Sequence, residues 1–170
     1  MGYFPLLYRL QHCESYLLWI SGDKDSVVVD ADGFVPSFRT FGLLQEFADR
    51  KHYRLETEEP KLHDLDWVTI SQTDKSVDCE AALAAWNLFS DVSASVPELN
   101  HNFKGLDSQF RLIYDKLFWG NNLPSMTPEG ERYLPQWSAD ELHSLAQILA
   151  SGLDLFMSVV RQWNPKRIGG

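Results

Sequence analysis

The sequence predicts an α+β fold, with an N-terminal antiparallel β-meander carrying one helix and a C-terminal bundle of about three helices. Three observations carry this expectation. The early apolar runs are short, β-branched or aromatic, and separated by turn residues. From Val77 onward the apolar spacing becomes helical. Nowhere do strands and helices alternate as a parallel sheet requires. The 170 residues suit one domain over 1–170, β-rich over 1–72 and helical over 73–164, with a short basic tail over 165–170.

Residues 16–20 and 27–29 read as strands joined through Gly22-Asp23-Lys24-Asp25. Asp32-Gly33 then offers the positive φ angles of a two-residue hairpin leading to Phe34-Val35, so a three-strand meander is the simplest assembly. Thr40 caps a helix whose inward face is Leu43, Leu44 and Phe47, and a short strand around residues 53–56 returns to the sheet. Residues 64–70 suit a strand by alternation and a helical turn through Leu65 and Val68, and both readings stay open.

The next helix places Ala81, Ala85, Leu88 and Val92 on one stripe beside Trp86 and Phe89, with Ser76 or Asp78 as its cap. Another carries Leu106, Phe110, Ile113 and Leu117 and stops at Gly120. The last has the clearest signature: Ser138 and Glu141 form a capping box, Trp137 and Leu142 take the staple positions, and Leu145, Leu149, Phe156 and Val160 continue the stripe until Pro165 ends it. Residues 121–136 are too rich in Pro, Gly and Asn for regular structure, and loops of that length in compact domains are often functional.

Hydrophobic residues make up 44% of the chain, enough to form a core without disulfides or a structural metal. Cys13 and Cys79 stand far apart, which points to reduced thiols in the cytosol. Met1-Gly2-Tyr3-Phe4-Pro5-Leu6 lacks a basic n-region, Leu6 breaks the myristoylation pattern, and no uninterrupted apolar stretch reaches bilayer length, so a cytoplasmic protein away from membranes is expected. The 24 acidic and 15 basic residues give a net charge of −9, which repels a phosphate polymer and argues against direct nucleic-acid binding. From Arg54 to Asp91 nine acids (Glu56, Glu58, Glu59, Asp64, Asp66, Asp74, Asp78, Glu80, Asp91) face three bases, so this stretch holds −6 of the total. Such a segment is either a solvated face or a patch that meets a basic protein.

Catalytic patterns are weak. Asp30-Ala31-Asp32 after an apolar strand resembles the nucleophile motif of haloacid-dehalogenase-type phosphatases, which would make the chain a small magnesium-dependent phosphatase. However, Phe34 stands where that family has Thr, and no later acidic pair for magnesium follows. His63-Asp64 with Asp66 offers metal-ligand chemistry but lacks the further His and Asp ligands that such sites need. No serine elbow, phosphate-binding glycine loop or zinc-protease motif is present. Arg167-Ile168-Gly169-Gly170 is similar to the tail of ubiquitin-like modifiers, yet the helix-rich C-terminal half does not suit that fold. The reading is therefore of a binding protein, not an enzyme, without cofactor or metal.

The runs Asp64-Leu65-Asp66-Trp67, Asp78-Cys79 with Ala85-Trp86-Asn87-Leu88-Phe89-Ser90-Asp91, Ile113-Tyr114-Asp115-Lys116-Leu117-Phe118-Trp119-Gly120-Asn121-Asn122-Leu123-Pro124 and Thr127-Pro128-Glu129-Gly130 resemble immunity proteins of bacterial contact-dependent growth-inhibition systems. The resemblance runs from Tyr3-Phe4-Pro5-Leu6 to the last helix, although these families diverge and share no universal motif. It implies a partner rather than a reaction: the C-terminal domain of a cognate toxin, in many such systems a nuclease that cleaves transfer RNA. It carries no catalytic role to any residue.

Charge and aromatic content nominate Glu56, Glu58, Glu59, Asp64, Asp66, Trp67, Asp74, Glu80, Trp119, Asn121, Asn122 and Tyr133 as partner-facing, with Trp137 a further anchor. A monomer, or a 1:1 heterodimer with the toxin domain, is expected. An acidic adaptor for some other basic protein is the alternative within the binding class.

Overall fold

The computed structural model describes residues 2–70, 77–99 and 101–166, without the side chains of residues 69 and 70. Asp74, Ser76 and the tail over 167–170 lie outside the described residues. In chain order the elements are β1 (Gly2–Leu10), β2 (Cys13–Ser21), β3 (Ser26–Val27), β4 (Val35–Ser37), α1 (Phe41–Lys51), β5 (Leu62–Asp64), α2 (Asp66–Ile70), α3 (Cys79–Ser95), α4 (Phe103–Gln109), α5 (Arg111–Gly120), α6 (Ala139–Val159) and β6 (Val160–Gln162). The fold is α+β, with most strands in the N-terminal part and most helices in the C-terminal part, α1 preceding β5 and β6 following α6.

The main sheet has the order β3-β2-β1-β5, antiparallel except for β5, which runs parallel to β1. Strand alternation divides its side chains between two layers. Leu6, Tyr8, Leu17 and Trp19 face the core built by α3 and α6, while Tyr3, Tyr16, Leu18 and Ile20 face Phe38, Leu44 and Phe47 around α1. Burial on both faces explains why residues 16–20 read as a continuous apolar run rather than an alternating one.

The expected meander exists with different members. β1, which carries Pro5, is its first strand. Proline is tolerated because Pro5 pairs with Leu18, whose carbonyl accepts from Val28 N–H on the other side at 2.9 Å, so no β1–β2 ladder bond is lost. At the other end, Asp32-Gly33 does turn the chain: Gly33 has φ 84° and Asp30 N–H donates to Phe34 O at 2.8 Å. Yet β4 does not return along residues 27–29; it pairs in parallel with β6 from the far end of the chain. Residues 53–56 reach the sheet only through a Tyr3–Leu55 bridge. Residues 62–70, partly left open by pattern, divide into β5 and α2.

A buried polar seam joins the two sheets. Tyr8 OH lies 2.7 Å from Ser37 Oγ, and Gln162 Nε2 donates to Ser37 Oγ at 3.0 Å and Ser15 Oγ at 3.3 Å. Burial raises the Tyr8 pKa, so the phenol stays neutral within this network.

Helices α1, α3 and α6 are capped by Thr40, Asp78 and Ser138, each side chain accepting the backbone N–H three residues on. The helix expected through Leu106 and Leu117 is broken at Phe110 (φ −101°, ψ 28°) into α4 and α5. The last helix ends at Val159, passing into β6 ahead of Pro165. Although interrupted by Asp140, Glu141, His143 and Asp154, α6 is apolar enough to cross a bilayer by length and composition, with 21 residues and mean hydropathy of 1.3 in its most apolar stretch. Here its apolar face, including Ile148, Leu149, Gly152 and Phe156, is buried in the core. Its capping box is complete: Ser138 Oγ accepts from Glu141 N–H at 3.1 Å and Glu141 Oε2 accepts from Ser138 N–H at 2.8 Å. Ser138→Ala is expected to cost on the order of 1 kcal/mol in urea denaturation.

Candidate functional site

On α3, Asn87, Asp91 and Ser95 recur every four residues and so form one stripe, of which Asp91 and Ser95 meet the sheet and Asn87 meets α5. Ser95 fixes the approach, because its hydroxyl accepts from Val27 N–H at 2.8 Å and donates to Asp91 O at 2.7 Å. One turn earlier, Asp91 Oδ2 accepts from Trp19 Nε1–H at 2.9 Å. Burial pushes the Asp91 carboxyl from 3.8 up to about 6, outweighing the stabilising indole bond, and Asp25 nearby adds to the rise.

Around this pair opens a cleft of about 540 Å³. Phe4 forms one wall, its ring 5.6 Å from that of Trp19, and Tyr114 of α5 forms another, its hydroxyl donating to Asn87 Oδ1 at 2.9 Å. Asp25 enters from the β2–β3 turn, and Glu58 and Glu59 from the extended segment between α1 and β5. His63 also lines the cleft; burial lowers its pKa and favours the neutral ring, whose Nδ1 lies 3.2 Å from Lys61 O.

The charges are not balanced. Among the described residues, Asp25, Glu58, Glu59 and Asp91 make no ion pair. Lys61, the lining ammonium, pairs with Glu80, which stands outside the cleft. Four carboxylates against one already paired ammonium, beside aromatic rings, favour an incoming cation.

Of the nominated residues, Glu58 and Glu59 reach this cleft. Glu56 is exposed beside it in sequence and uses its N–H to donate to Tyr3 O at 2.8 Å. Asp64 holds Arg9 at 3.1 Å and accepts from Asp66 N–H at 3.1 Å. Asp66 ties down the β1–β2 hairpin, accepting from Gln11 N–H at 2.5 Å and His12 N–H at 2.8 Å where both residues have positive φ, 52° and 60°. Without glycine or asparagine in that turn, the carboxylate offsets the backbone strain. Asp66→Ala is expected to destabilise the fold by about 1–3 kcal/mol in urea denaturation, with a smaller loss for Asp66→Asn.

Trp67 and Trp137 are half-buried against the core, the latter under Lys116 Nζ at 5.1 Å from its ring centre. Trp119 and Tyr133 are 48% and 44% exposed, and with Met126 they line a separate groove. Its shape depends on Asn122, whose amide accepts from Tyr133 N–H at 2.7 Å and donates to Tyr133 O at 2.9 Å, while Asn121 N–H ends α5 on Leu117 O at 3.0 Å. Loop 121–136 is thus pinned, and it brings none of the nominated residues to the acidic cleft.

Asp30 is occupied by its own turn, accepting from Asp32 N–H at 3.0 Å and Phe34 N–H at 2.9 Å through Oδ1. His63, Asp64 and Asp66 face different partners, and among the described residues no three His, Cys, Asp or Glu side chains gather as metal ligands.

No family profile matches the chain, and no curated protein is similar to it in sequence. Among solved structures, it resembles the C-terminal domain of SatS, determined in complex with bromine, with a TM-score of 0.59 over 95% of this chain and 94% of that one. The likeness is one of fold. At 12% identity it carries no residue of the cleft across.

Trp19, Asp25 and Asp91 are the site residues that sequence reasoning missed. Trp19 reads as core, Asp25 as turn, and Asp91 only as part of a charge count. One available signal was the indole N–H of a strand tryptophan, which needs a partner when buried.

Proposed function

We propose that this chain binds a basic nuclease toxin domain of the contact-delivered kind and neutralises it in the cytoplasm of the cell that makes both. The observation that carries this reading is the cleft in which four carboxylates, none of them in an ion pair among the described residues, stand beside Trp19 and Phe4 and outnumber the one lining ammonium, Lys61, which is paired with Glu80. A domain that cleaves RNA must present Lys, Arg or His to phosphate, so its substrate-binding face is electropositive and complements such a cleft. The sequence resemblance to contact-dependent growth-inhibition immunity proteins points to the same partner class. The complex would be a 1:1 heterodimer.

The test is association kinetics with the toxin domain encoded beside this chain, measured against ionic strength. Replacing Asp25 and Asp91 by Asn and Glu58 and Glu59 by Gln together should slow association about tenfold or more at low salt and flatten its salt dependence. Equal association and equal protection of cells by the neutralised variant would remove the cleft from the interface and end this reading.

A further inference from the structure

Resting on the reading of the cleft as partner-facing, the geometry points to its occupant: a single arginine side chain of the partner, its guanidinium laid against Trp19 and hydrogen-bonded to Asp91.

Three features select that group. First, the cleft holds a carboxylate at depth and aromatic rings beside it. A planar, weakly hydrated guanidinium stacks on such rings while donating in its own plane, whereas a compact ammonium stays strongly hydrated. Second, the acceptors are spread out. Asp91 sits on α3, while Glu58 and Glu59 lie on a different segment at the mouth. The five N–H donors of arginine can serve several acceptors at once. Third, the indole N–H bond orients the Asp91 carboxylate from one side through Oδ2, and Asp91 has no ionic partner among the described residues. A bare divalent metal is disfavoured, because no group of three His, Cys, Asp or Glu side chains among the described residues forms a ligand set. The volume, about 540 Å³, admits a long side chain with its adjoining main chain.

The experiment needs no partner. The ¹H–¹⁵N indole resonance of Trp19, assigned by its loss in Trp19→Phe, is followed while N-acetyl-arginine methylamide is added. Parallel titrations use the lysine and citrulline analogues; citrulline keeps the shape of arginine without the charge. The arginine amide should shift the Trp19 signal saturably, with at least fivefold weaker binding for lysine and none for citrulline. Asp91→Asn should abolish the response while the other tryptophan signals keep their dispersion. Glu58→Gln with Glu59→Gln, at exposed positions, should weaken it severalfold. An unmoved Trp19 signal, an equal response to citrulline, or an unchanged response in Asp91→Asn would overturn the assignment.

The two readings fail separately. If arginine amide fails to enter yet the neutralised protein loses its toxin, only the arginine assignment falls. If arginine amide binds yet the neutralised protein holds toxin as before, the toxin reading falls and the arginine site stands.

Discussion

Gly152→Ala is expected to cost more than about 3 kcal/mol and to leave little folded protein at physiological temperature. Gly152 lies where α6 crosses α3. A methyl group there would stand 2.1 Å from Phe89 Cδ2, 2.6 Å from Phe89 Cγ and 2.9 Å from Phe103 Cε2, all well inside van der Waals contact. Neither ring has room to withdraw, because Phe89 is fully buried and Phe103 is 1% exposed, and both are held edge to face with neighbouring rings. Helix propensity favours alanine over glycine by about 1 kcal/mol, far too little to offset the overlap. Denaturant titration of Gly152→Ala beside Gly152→Ala with Phe89→Leu provides the check. The double variant should be more stable than the sum of the two single changes, by about 0.5–3 kcal/mol. Additive losses would mean that the helices separate rather than clash.

That contact shows where pattern reading succeeds and where it stops. The stripe of Leu145, Leu149 and Phe156 was legible because its spacing is local, and Ser138 with Glu141 fixed the helix start for the same reason. Gly152 carries no such signal, since its importance comes from a ring some sixty residues away in the chain, near-range neighbours being silent about close helix crossings. Likewise Asp32-Gly33 announced a turn correctly, but the partner of β4 is β6, and nothing local to Val35 could indicate it. The acidic cleft was half legible: Glu58 and Glu59 stand out by charge, whereas Asp91 acquires its character only when Trp19 and Asp25 from the sheet are brought against α3. Asp66 illustrates the converse, a conspicuous acid whose carboxylate is engaged by the hairpin amides at Gln11 and His12.

Asp91→Asn is expected to stabilise the fold increasingly as pH rises from about 4 to about 6. The Asp91 carboxyl ionises at about 6 in the folded protein against an ordinary 3.8, so between those values the folded state binds more protons than the unfolded one. Stability contributed by the neutral acid is complete below about 4, falls as pH rises, and is fully lost above about 6. Asparagine keeps an acceptor for Trp19 Nε1–H and has no proton to lose. Relative to wild type, Asp91→Asn should therefore gain stability across this window, by at most about 3 kcal/mol and by less to the extent that water at the cleft mouth screens the charge. Burial of His63 acts oppositely, since a depressed imidazole pKa adds stability as pH rises toward 6.5; both proteins carry it, so it cancels in the difference. Asp25, Glu58 and Glu59 also face the cleft and are common to both proteins. Urea denaturation at pH 4, 5, 6 and 7.5 measures that difference, and a constant value would mean that Asp91 ionises as an ordinary surface acid. A bound cation should lower the Asp91 pKa again, so partner binding near pH 5.5 should release a proton, visible by calorimetry as a binding heat that changes with the ionisation enthalpy of the buffer, and should tighten as pH rises through 6. The charge that costs the free protein stability is the one that a cationic partner would neutralise.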